Sequence, residues 1–140
     1  MKVSAVIPAA GQGKRMKAAK NKQFLLLEDK AILDHTLSKV QNSKVDEIIL
    51  VTKEEELEYC KKQIVEKYNF DKVTKLVIGG NTRQESVYNG LKVTDQNSDF
   101  VLIHDGARPL LTKEMIHNII REVKEYKAIA VGVRVKDTIK

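Results

Sequence analysis

At 140 residues the chain is long enough for one domain that hides roughly two-thirds of its unfolded surface, and 42% hydrophobic with 31% charged side chains excludes wholesale disorder. A single cysteine, Cys60, excludes a disulfide framework and a cysteine-based zinc site, and no apolar run approaches the roughly 18 residues needed to cross a membrane. The formal net charge of +6 sits in residues 1–27, which hold six basic side chains and no acid, while the remainder balances nineteen against nineteen; a diffusely basic nucleic-acid coat would spread it more widely.

The first predicted element is a buried strand at Val3–Ile7, a short apolar run ended by Pro8 and a glycine-bearing loop. It is too short for a secretory signal, is broken by Pro8, and precedes the basic residues. A basic transit peptide fits the composition, but this run reads as a strand and not as an Arg- and Ser-rich amphipathic helix. Ile32, Leu33, Leu37 and Val40 then fall on one helical face that Asn42-Ser43 closes. Glu47–Val51 is a second buried strand. Leu57, Cys60, Ile64 and Tyr68 predict a helix whose acidic first turn, Glu54 to Glu56, suits the macrodipole. Leu76–Ile78 is a third strand, stopped by Gly79-Gly80, and a helix follows from Arg83 with Val87 and Leu91 inward. Phe100–His104 is a fourth strand. Met115, Ile116, Ile119, Ile120 and Val123 mark a helix after a Thr112 cap, and Ala128–Val135 is a fifth strand.

Five strands alternate with four helices, and four of the strands are apolar on both faces. The expected fold is α/β: a Rossmann-like, mostly parallel sheet with helices on both faces. The chain stops at Lys140 directly after a strand, with no closing helix. The expectation is therefore one α/β domain over residues 1–140, cut short at its C-terminal end.

In an open parallel sheet, ligands bind beyond the C-terminal ends of the strands. Three loops there carry suggestive residues. After the first strand, Pro8–Met16 reads PAAGQGKRM, in which Gly11 and Gly13 allow close backbone approach and an anion-binding nest. Arg15, Lys17, Lys20 and Lys22 follow. It is neither a dinucleotide fingerprint, since Met16 stands at the third glycine position, nor a Walker A loop. It reads as a triphosphate cradle or as an ordinary tight turn with solvated lysines. After the third strand comes GGNTRQES, where Asn81, Arg83 and Ser86 could read a base edge, or where Asn81 or Thr82 simply caps a helix. After the fourth strand comes HDGARP. Asp105 could bind ribose hydroxyls or sit near a metal, and Arg108 could take a phosphate bidentately; a local Asp105–Arg108 ion pair bracing the turn is the alternative. His104 reads as a strand residue, His35 and His117 lie on helices with no evident partner, and Cys60 reads as core. A site with many cations, few acids and no nucleophile–base pair suits in-line displacement at phosphorus, with a ligand phosphate as nucleophile and Mg²⁺ bridging the phosphates.

PAAGQGKRM, KQF (Lys22–Phe24), GGNTRQES, VLIHDGARP and VKDTIK (Val135–Lys140) occur in order, and together they resemble the 2-C-methyl-D-erythritol 4-phosphate cytidylyltransferases, of nucleotide-diphospho-sugar transferase fold. PAAG and HDGARP are closer to that family than to the sister ribitol 5-phosphate cytidylyltransferases. The resemblance implies CTP and a sugar-alcohol phosphate as substrates, Mg²⁺ as the divalent cation, diphosphate as a product and a cytoplasmic homodimer, with neither a nucleic-acid nor a membrane partner. It implies Arg15 and Lys22 as catalytic cations on the α-phosphate. Pro8, Ala9, Ala10, Gly11 and Gly13 match the triphosphate loop. Gly80, Asn81 and Ser86 match the cytosine-reading positions, with Arg83 beside them, although Asp is frequent in the family where Asn81 stands. Asp105, Gly106 and Ala107 match the ribose and metal neighbourhood, and Arg108 and Thr138 the sugar-phosphate site. Asn21 replaces a proline usual before the KQF lysine, which relaxes the backbone ahead of Lys22. Chains of the family continue past this point, so 140 residues alone are expected to bind CTP with little turnover.

Overall fold

The computed structural model describes residues 1–10, 26–27 and 30–130. The chain enters through β1 (Val3–Pro8), and a short antiparallel pair, β2 (Leu26–Leu27) with β3 (Lys30–Ala31), precedes α1 (Ile32–Gln41). Then come β4 (Glu47–Thr52), a helical stretch from Glu54 to Glu66 containing α2 (Leu57–Cys60), β5 (Val73–Ile78), α3 (Arg83–Leu91), β6 (Phe100–Ile103) and α4 (Lys113–Tyr126). β1, β4, β5 and β6 form one parallel sheet in the order β5-β4-β1-β6. The expected α/β fold with a parallel sheet is therefore present.

The two-residue period of β1 divides the core. Val3, Ala5 and Ile7 face Leu33 and Leu37 of α1, Ile48 and Leu50 of β4, and Ile116 and Ile120 of α4, in one buried cluster. Val6 faces the other way with Ile49 and Val51, and α3 covers that side. Each such side chain contributes about 1.5–3 kcal/mol when fully buried, so β1 and β4, buried at every position, anchor the sheet.

The elements depart from expectation where tertiary contacts outweigh local pattern. β5 begins at Val73, ahead of the apolar run Leu76–Ile78, because it lies at the edge of the described sheet, where Thr74 and Lys75 can both stay exposed on opposite faces. Among the described residues β5 has exposed positions on both faces and β6 on one, so only β1 and β4 are buried on both faces. The Glu54–Glu66 stretch is not one regular helix: it opens as a 3₁₀ turn and continues beyond Cys60 as a π-helix, Lys61–Glu66. Leu91 is 36% exposed; the inward residues of α3 are Ser86 and Gly90, with Val87 half-buried. Ala128–Ala130 carry no strand pairing, and the remainder of the expected fifth strand lies outside the described residues.

At the N-terminal edge of the sheet a polar network takes over. Buried Glu47 accepts from Ser4 Oγ at 2.7 Å, Thr74 Oγ1 at 3.1 Å and the Asp95 N–H at 2.7 Å, while Lys2 pairs with the Asp95 carboxylate. Burial pushes the Glu47 carboxyl up, but these bonds and the Lys2 charge outweigh it and hold it below the ordinary carboxylate value. Lys2 is thus committed at the edge opposite to the candidate site and adds nothing to a phosphate-binding field.

Candidate active site

After β1 the chain turns to β4 and β5 on one side and returns to β6 on the other, so strand order reverses between β1 and β6. The crevice beyond the C-terminal ends of such strands is where open α/β sheets bind ligands. Pro8–Ala10 form one wall. Ala9 is buried and donates its N–H to the Val51 carbonyl at 2.7 Å, and the Pro8 carbonyl accepts from the Gly106 N–H at 3.0 Å. Gly11, Gly13, Arg15, Lys22 and Thr138 lie outside the described residues.

The loop after β5 lies against that wall because Gly79 has no side chain. A Cβ there would stand 2.7 Å from the Ala10 Cβ and 2.6 Å from Ser86 Oγ. Ser86, 3% exposed, accepts from the Gly80 N–H at 3.1 Å and so fixes the loop from inside α3. Thr82 is the N-cap, accepting from the Glu85 N–H at 3.1 Å, and the Glu85 carboxylate reaches back to the Asn81 N–H at 2.6 Å. The capping reading therefore holds for Thr82. It leaves the Asn81 side chain exposed.

Asp105 and Arg108 do pair, at 3.4 Å, as the bracing alternative expects. Arg83 joins them from α3, its Nε donating to Asp105 Oδ1 at 3.0 Å. The Arg83 and Arg108 side chains are 61% and 75% exposed, and exposed pairs of this kind are worth about 0–1 kcal/mol. Both guanidiniums can therefore be drawn off onto a phosphate at small cost. Sequence spacing did not reveal the Arg83–Asp105 contact, since the two residues come from different loops. Its only signal was that both loops follow strands of one parallel sheet and so lie at its C-terminal edge. His104 lies just beyond β6 and bonds the Arg108 carbonyl, so it is a turn residue and not a core strand residue. His117, read as lacking a partner, accepts from the Lys44 N–H at 3.2 Å.

From Asp105 and Arg108 a cleft of about 1060 Å³ runs along β6 to α4. Val101, Ile103 and Met115 give its far part an apolar wall. The structure thus brings Pro8, Ala9, Ala10, Gly80, Asn81, Arg83, Ser86, Asp105, Gly106, Ala107 and Arg108 to one edge of the sheet.

The sequence matches the family model of IspD, 2-C-methyl-D-erythritol 4-phosphate cytidylyltransferase, over residues 3–140. A protein of that name from Clostridium kluyveri is 55% identical over 137 residues, which are 97% of this chain and 59% of that protein. One from Clostridium botulinum is 51% identical over 140 residues, 99% of this chain and 61% of that protein. The chain spans about three-fifths of the length of the curated relatives it matches. The crystal structure of 4-diphosphocytidyl-2C-methyl-D-erythritol synthase from Anaerococcus prevotii superposes with a TM-score of 0.74 at 34% identity, covering 89% of this chain and 52% of that one. The bifunctional IspDF of Campylobacter jejuni gives 0.72 at 27% identity, covering 90% of this chain and 31% of that one. Motifs, sheet topology and matched length agree: this chain belongs to the 2-C-methyl-D-erythritol 4-phosphate cytidylyltransferase family.

Proposed function

We propose that this chain is the nucleotide-binding α/β domain of an enzyme that transfers CMP from CTP to 2-C-methyl-D-erythritol 4-phosphate and releases diphosphate. The observation that carries the reading is the meeting of three loops at the β1/β6 reversal in a chain of this family. A phosphate oxygen of the sugar-alcohol phosphate attacks the α-phosphorus of CTP in line, and the bond to the β-phosphate oxygen breaks. Pro8–Ala10, Gly11 and Gly13 receive the triphosphate. Arg15 and Lys22 neutralise charge that builds on the α-phosphate. Gly80, Asn81 and Ser86 read cytosine, with Arg83 beside them. Asp105, Gly106 and Ala107 receive the ribose, and Arg108 with Thr138 binds the sugar phosphate.

Among the described residues no group of three His, Cys, Asp or Glu side chains could cage a metal ion. Mg²⁺ usually takes one or two carboxylates and completes its shell with substrate phosphates and water. Asp105 at the sheet edge therefore fits an ion that arrives with the nucleotide. Bound there, Mg²⁺ would supply charge neutralisation to the triphosphate. Clustering of the excess cations in residues 1–27, with 5% aromatic residues, favours small anions over nucleic acid as partners. No helix among the described residues is long and apolar enough to cross a membrane. The enzyme is read as a cytoplasmic homodimer, in keeping with the family.

In the full polypeptide, diphosphate release from CTP is expected with methylerythritol phosphate and not with ribitol 5-phosphate. Arg15→Ala and Lys22→Ala should each cut kcat about 10²–10³-fold with much smaller changes in CTP affinity. Near-normal turnover in both variants would sink the catalytic assignment.

A further inference from the structure

The turn that carries Arg108 is held from outside the site. Thr36 of α1, fully buried, donates from Oγ1 to the Gly106 carbonyl at 2.8 Å. Its own helix offers the Ile32 carbonyl at 3.3 Å, but a hydroxyl has one hydrogen and the closer acceptor takes it. One turn along the helix, Lys39 Nζ donates to the Pro109 carbonyl at 2.6 Å. His104 Nε2 lies 2.9 Å from the Arg108 carbonyl; a carbonyl only accepts, so Nε2 carries a hydrogen and donates it. The carbonyls of residues 106, 108 and 109 are thus all bonded. The peptide before them is held from another element, through the Gly106 N–H on the Pro8 carbonyl of β1.

The Arg108 N–H closes the turn on the Asp105 carbonyl at 3.2 Å, and two elements outside the turn anchor it. β1 holds it through the Gly106 N–H, and α1, together with His104, through the carbonyls of residues 106, 108 and 109. The turn packs closely on α1 as well: a Cβ on Gly106 would stand 2.8 Å from Leu33 Cδ1. We infer that Thr36, a residue with no substrate contact, is a positioning residue for the sugar-phosphate subsite, acting through the Gly106 carbonyl on the aim of Arg108. The inference rests on the assignment of Arg108 to the sugar phosphate made above.

In the full polypeptide, Thr36→Val keeps the shape of the side chain and removes the donor. It is expected to raise the KM for 2-C-methyl-D-erythritol 4-phosphate about 10-fold or more, with the Kd of CTP within about twofold of the parent, and Thr36→Ser is expected to restore the KM. Equal losses for the two substrates, no change in either, or failure of Thr36→Ser to rescue would overturn the inference. Should Thr36→Val not fold, His104→Phe asks the same question from the other anchor, and the same split is required of it. A parent enzyme that releases no diphosphate with methylerythritol phosphate overturns the proposed function and this inference with it. An active parent whose variants show no split overturns this inference alone.

Discussion

Asp105 stands between two guanidiniums that grip it weakly, and this weakness suits a site that must exchange partners. Exposed pairs contribute about 0–1 kcal/mol, whereas a bidentate arginine–phosphate contact is charge-assisted on both bonds. Cys60 is the opposite kind of residue. Burial, then the charges of Glu56 and Asp34, pushes its thiol up to about 12, so at neutral pH it is protonated and inert. A thiol reagent should label native protein far more slowly than protein in denaturing urea; equal rates would contradict this placement. The fate of Cys60 was legible in the sequence, because its spacing from Leu57 and Ile64 is helical and one neighbour in that pattern is apolar on each side. The Arg83–Asp105 contact was not, because residues 22 positions apart carry no local signature of proximity.

At the scale of elements, α3 shows where periodicity misleads. The pattern selected Val87 and Leu91 as the inward face because they are the large apolar residues. The helix turns Ser86 and Gly90 inward, since small residues let it lie close on β1 and β4. Replacing Gly90 by Ala would improve helix propensity by about 1 kcal/mol. The new Cβ would stand 2.5 Å from Val6 Cγ1 and 3.0 Å from Val51 Cγ2, both on strands with no room to move. Overpacking of a dense core costs about 1–3 kcal/mol, so Gly90→Ala is expected to destabilise. A urea midpoint equal to or above the parent value would show that α3 can lift off the sheet. By contrast α4 was readable almost entirely: Thr112 caps it, accepting from the Met115 N–H at 3.0 Å, and Ile116 and Ile120 are buried as their spacing requires.

For the whole molecule, His117 and Glu47, both far from the crevice, contribute to an acid response. Burial, then the Lys44 and Lys113 charges, lowers the His117 pKa below its ordinary 6.5, and its ring accepts from the Lys44 N–H only when neutral. Below 6.5 the unfolded chain takes up a proton that the folded form resists, so stability falls as pH falls through that range. Glu47, whose pKa lies below its ordinary 4.5, adds a second loss beneath that value, as its bonded carboxylate becomes protonated. Urea midpoints should therefore decline from pH 7.5 to 5.5, and His117→Gln should flatten that decline; an unchanged slope would remove His117 from the account. The sequence indicated alternation and a parallel sheet, but strand order lay beyond it, because an apolar run does not state which neighbour it will pair with. That order has a consequence for synthesis. β1 is made before its sheet partners yet is an inner strand of the described sheet, and its partner β6 begins at Phe100, paired with Val3. At about 5–20 residues per second, ribosomes separate the two by roughly 5–20 s. During that interval β1, a strand buried at every position in the fold, has one edge unclaimed, and unpaired strand edges of this kind are where a nascent chain is prone to mispair.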